Sequence, residues 1–106
     1  MIDQRVRTKV KEVVELAMLI NDTPTTRKET GDKPTVFVDF SGHTCGLIVA
    51  ICGKGWDRKE PYNESTDETI VYLDDKNDAK VRVHLDHVIR QLKDIYDEWG
   101  LKEDGN

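Results

Sequence analysis

The sequence predicts an α+β fold, a two-layer αβββα domain in which a three-stranded antiparallel meander carries two helices packed on one face. Three observations lead there. An amphipathic stretch with helical spacing opens the chain, residues 35–52 read as two strands folded back on each other, and a second amphipathic stretch covers residues 79–99. The 106 residues form a single domain, 1–106, able to bury roughly two-thirds of its unfolded surface. With 37% hydrophobic and 35% charged residues, the core must be small and the solvated surface large.

Residues 2–20 carry Ile2, Val6, Val10, Val13, Ala17 and Ile20 at spacings of three and four, one stripe of a helix. Val14, Leu16, Met18 and Leu19 widen that stripe, which predicts burial of the last two turns on more than one side. Asn21-Asp22-Thr23-Pro24 stops the helix, because proline lacks an amide donor and disfavours helical geometry in the residue before it. Residues 21–34 are polar apart from their prolines and read as a mobile connector.

The centre of the chain follows. Val36, Val38 and Phe40 share one face of the first strand, with Thr35, Phe37 and Asp39 on the other. Ser41-Gly42-His43 supplies the turn, and an apolar run leads to Cys52. Leu47, Val49 and Ile51 alternate there with Ile48, Ala50 and Cys52, so the second strand is central or its outer face is covered. Gly53-Lys54-Gly55 ends it, Trp56 opens a polar loop, and residues 68–73 form the third strand. Residues 79–85 alternate as a strand would. Yet Val81, Leu85, Val88, Leu92, Ile95 and Trp99 step by four and three over twice that span, which favours a helix. Asn77 or Asp78 would cap it, Gly100 would end it, and 101–106 would be a frayed tail.

Several chemistries are poorly served. No apolar run approaches the roughly 18 residues of a membrane span, and no signal-peptide core follows the polar N-terminus, so a cytoplasmic protein is expected. Cys45 and Cys52, read as members of one strand, would be ~23 Å apart and unable to form a disulfide. His43, Cys45, His84 and His87 are metal-ligand types without CxxC or HxxxH spacing, and no metal or other cofactor is expected. Cys45 beside a histidine lacks a third group and an oxyanion element. Asp39 and the Asp74-Asp75 pair could be acid–base carboxylates, but Asp74-Asp75 reads more simply as turn and capping chemistry. Gly53-Lys54-Gly55-Trp56 lacks phosphate-loop spacing. No enzyme is expected.

Charge is the more informative feature. The net charge is −5, and residues 57–78 alone hold eight acids against three bases. Arg5, Arg7, Lys9 and Lys11 make the first helix basic, which keeps a nucleic-acid-binding αβββα domain as the alternative to a protein-binding one. The element order is similar to that of double-stranded-RNA-binding domains. Those carry lysines at the start of the last helix, where this chain has Asp78-Ala79-Lys80-Val81-Arg82-Val83 and then turns acidic, so no nucleic acid is expected.

A second resemblance covers about residues 35–99. The run Val36-Phe37-Val38-Asp39-Phe40-Ser41-Gly42-His43, then Gly55-Trp56-Asp57, then Ile70-Val71-Tyr72-Leu73-Asp74 before an amphipathic helix resembles small proteins encoded by phages and prophages of Gram-positive bacteria. It implies an accessory protein without assigned chemistry. The expectation is therefore a non-catalytic interaction module presenting acidic surface, with Trp56, Tyr62, Glu64, Asp67, Glu68 and Tyr72 as partner-binding residues. The partner would be a basic protein, such as a host nucleic-acid-binding protein whose phosphate groove the acidic loop occupies as a DNA mimic, or a second copy in a homodimer. A solvated face that only keeps the chain in solution is the plainer explanation of the same charge.

Overall fold

The computed structural model of the chain describes residues 2–22, 34–53 and 66–104, with Thr66 and 100–104 described by backbone only. The elements run α1 (Gln4–Asn21), β1 (Thr35–Ser41), β2 (Gly46–Cys52), β3 (Thr66–Tyr72) and α2 (Asp78–Asp104), the predicted αβββα order. The sheet is antiparallel throughout with β2 in the middle, in the order β1-β2-β3.

The register explains which residues become core. Val36 faces Ile51, Val38 faces Val49, and Leu47 faces both Phe40 and Val71, so one sheet face is a layer of branched aliphatics. Both helices cover this face. Val6, Val13, Leu16, Ala17 and Ile20 of α1 and Val81, Leu85, Val88, Ile89 and Leu92 of α2 join it in one buried cluster. Val6, Val13, Leu85, Val88 and Leu92 are fully enclosed. The helices are also tied to each other at the surface, Lys9 to Asp86 and Lys93 to Glu12 (3.1 Å).

Each helix starts where its sequence offers an acceptor. Asp3 caps α1, its carboxylate accepting from the Arg5 amide at 2.9 Å. Asn77 caps α2 by accepting from the Lys80 amide at 3.1 Å, and Asp75 in turn accepts from the Asn77 amide at 2.9 Å. Asp75 thus does turn work, as its position before the helix suggested.

Four expectations need correction. Cys45 is not in a strand: it closes the four-residue turn between Ser41 and Gly46 with φ 54°, which widens the turn beyond Ser-Gly-His. The last turns of α1 are not buried on several sides, since Val14, Met18 and Leu19 lie exposed; α1 meets the sheet and α2 with one face only. β3 begins two residues earlier and ends one earlier than predicted, because β2 pairs with it out to Thr66. The last helix passes through Gly100 to Asp104, since a single glycine costs a helix only about 1 kcal/mol. Residues 23–33 of the connector and 105–106 of the tail lie outside the described residues.

Candidate functional site

The face of the sheet turned away from the helices is the candidate site. Strand alternation builds it from Thr35, Phe37 and Asp39 on β1, Ile48, Ala50 and Cys52 on β2, and Glu68, Ile70 and Tyr72 on β3. Of the two sets that β2 offered, the Ile48 set faces outward. Four register rows cross it: Thr35–Cys52–Thr66, Phe37–Ala50–Glu68, Asp39–Ile48–Ile70 and Ser41–Gly46–Tyr72.

Its centre is apolar and, among the described residues of its rows, its charge is of one sign. Phe37 (38% exposed), Ile70 (43%) and Tyr72 (56%) stand in solvent around the half-buried Ile48 and the buried Ala50. Asp39 and Glu68 are exposed among them, and no lysine or arginine belongs to the rows. The Tyr72 ring lies beside Gly46: a Cβ built on Gly46 would stand 3.5 Å from Tyr72 Cε1, an ordinary contact, and 3.3 Å from Thr44 Oγ1. Glycine opposite an aromatic side chain lets the ring cover backbone that would otherwise face water.

The predicted partner-binding residues are divided by this geometry. Glu68 and Tyr72 lie on the outer face. Asp67, their neighbour in sequence, is exposed on the opposite face, at the register position across from Ile51. Trp56, Tyr62 and Glu64 lie outside the described residues. Ile48, Ile70 and Asp39 are not among the predicted partner-binding residues, although the period of two in each strand places them beside Phe37 and Tyr72 once the register is known.

The other constellations stay apart. His43 is exposed in the β1–β2 turn, whereas His84 and His87 are exposed on α2. Among the described residues, no three His, Cys, Asp or Glu side chains gather as a metal site. The basic stretch of α1 is partly answered by protein groups: Arg5 Nε donates to Asp3 at 3.2 Å, Arg7 Nε to the Ile2 carbonyl at 3.3 Å, and Lys9 pairs with Asp86. The bond from Arg5 holds the Asp3 carboxyl below its ordinary 3.8. Among the described residues, no helix is long and apolar enough to cross a membrane. Compared with family models, curated proteins and solved structures, the chain matches none of them.

Proposed function

We propose that the protein is a non-catalytic interaction module whose outer sheet face receives a protein partner with a basic surface. One observation carries this: Phe37, Ile48, Ile70 and Tyr72 form an apolar field that contains Asp39 and Glu68 and, among the described residues of its rows, no cation. Exposed aromatic and aliphatic groups provide contact area, and carboxylates of one sign steer a positively charged surface toward them. A second copy is the poorer occupant. Two such faces stacked on each other would bring carboxylates together with no cation from the described residues of either face's rows, and buried unpaired charge is costly. The resemblance to phage and prophage proteins directs the search for the partner to a Gram-positive host, among proteins that carry basic surfaces for nucleic acid.

The test is capture from host lysate by the immobilised chain, followed by measured affinity for the purified captured protein. Phe37→Ser is expected to weaken binding at least tenfold, on the scale of a buried aromatic contact of ~1.4 kcal/mol or more. Asp39→Asn with Glu68→Gln should chiefly slow association and flatten its salt dependence. Undiminished affinity in both variants, or capture of nothing, would refute the interface.

A further inference from the structure

The two edges of the sheet are not equivalent. On β1, the Asn21 side chain occupies both outward groups of Val36, donating to its carbonyl at 2.7 Å and accepting from its amide at 2.9 Å. Among the described residues, β3 has no such cover. The Leu73 amide donates to the Cys45 carbonyl at 2.9 Å, so residue 73 and its alternates Val71, Thr69 and Asp67 point toward β2. Glu68 and Ile70 therefore present their amides and carbonyls outward, and no described residue pairs with either outward set. The next outward carbonyl, that of Tyr72, accepts from Asp75 at 3.4 Å, which closes the strand at that end.

Beside this open edge lies a cavity of about 200 Å³ between β3 and α2, lined by Ile70, Tyr72, Lys80, Val81 and His84 among others. Acidic groups flank the edge on both faces, Asp67 on the helix side and Glu68 on the outer side, and Asp75 stands at the cavity. We propose that β3 takes up an extended peptide segment by strand addition, one with alternating apolar and basic side chains. The open groups of Glu68 and Ile70 supply its main-chain hydrogen bonds. One apolar side chain enters the cavity between β3 and α2. Lysine or arginine residues of the segment stand next to Asp67 and Glu68, where opposite charges across strands attract. This names the form a basic partner takes and partly rests on the basic-partner proposal; the strand edge and cavity adjoin the outer face and share Glu68, Ile70 and Tyr72 with it, but not Phe37 or Asp39.

The test selects binders from a random dodecapeptide display library with the full chain and follows amide exchange by NMR. Selected peptides are expected to alternate apolar and basic residues and to slow exchange at the Glu68 and Ile70 amides about tenfold or more. Ile70→Pro removes an outward donor that β2 does not use, and should weaken binding about tenfold while Ile70→Val retains it. His84→Trp, on the exposed side of α2, fills the cavity without touching the core and should do the same. Phe37→Ser should leave peptide binding intact, so loss of the outer-face interface and loss of strand addition are told apart. The proposal is overturned if no peptide is enriched, if bound peptides leave both amides unprotected, or if His84→Trp and Ile70→Pro bind as well as the parent. A dimer in sedimentation that Ile70→Pro abolishes would also overturn it, in favour of pairing between two copies.

Discussion

Asn21 and Val36 are joined by two hydrogen bonds: the amide side chain at the end of α1 meets the backbone of β1 as a neighbouring strand would. Helix end and strand are fixed to each other at one residue. Asn21→Ala removes both bonds and should cost about 1–3 kcal/mol in denaturant unfolding. Asn21→Asp keeps the acceptor and sets a carboxylate against the Val36 carbonyl, so it should recover little of that loss.

Cys45 holds the left-handed conformation that closes the β1–β2 turn, with φ 54°. A side chain there costs energy that glycine avoids. Cys45→Gly should therefore raise stability by about 0.5–1 kcal/mol, after the extra freedom of glycine in the unfolded chain is subtracted. Cys45→Ala should leave stability near the parent value, and a large gain with alanine would show that the thiol, not the backbone, is the source of strain.

The Asp3 carboxyl is held below its ordinary 3.8 by the hydrogen bond from the Arg5 side chain, then by the bond from the Arg5 amide. A carboxyl lowered in the folded state stabilises the fold at pH above its unfolded value, and that contribution is lost as pH falls through the lowered folded value. Asp3→Asn keeps a capping oxygen but not the charge. The parent should melt above this variant near neutral pH, and the two curves should converge as the pH drops below 3.8. A gap that persists in strong acid would assign the effect to something other than ionisation.

The ambiguity of residues 79–85 has an energetic signature. In a strand, Val81, Val83 and Leu85 would share a face. In α2, Val81 and Leu85 are buried while Val83 is 69% exposed. Leu85→Ala should cost about 2–5 kcal/mol. Val83→Ala should fall within about 0.5 kcal/mol of the parent, as surface substitutions do.

The fold was legible because its signals are periodic. The steps of four and three from Val81 to Trp99, and the alternation from Thr35 to Ile51, each name an element and the face it buries. What escaped depends on partners distant in sequence. Nothing local to Val14, Met18 and Leu19 tells that α2 and the sheet leave them uncovered. Nothing local to Cys45 shows that the turn takes four residues, because that is set by the pairing of Ser41 with Gly46. The candidate site was half legible for the same reason. The acidic run groups residues that are near one another in sequence, but alternation in β3 sends Asp67 and Glu68 to opposite faces, and Asp39 reaches the site from another strand.

The joining of α1 to α2 has a consequence for how the chain is made. Lys9 and Glu12 find Asp86 and Lys93, and the buried stripe of α1 shares one core with Leu85, Val88 and Leu92. During synthesis, then, the first helix emerges from the ribosome long before its principal partner does. Most of the stability of an amphipathic helix such as α1 comes from packing its apolar face, not from propensity. Until α2 follows, the valines of α1 and the branched face of the β1–β2 hairpin stay exposed together, and the core closes in a late step. A nascent chain stalled before α2 should thus be open to protease along α1, and release of the remaining residues should protect it.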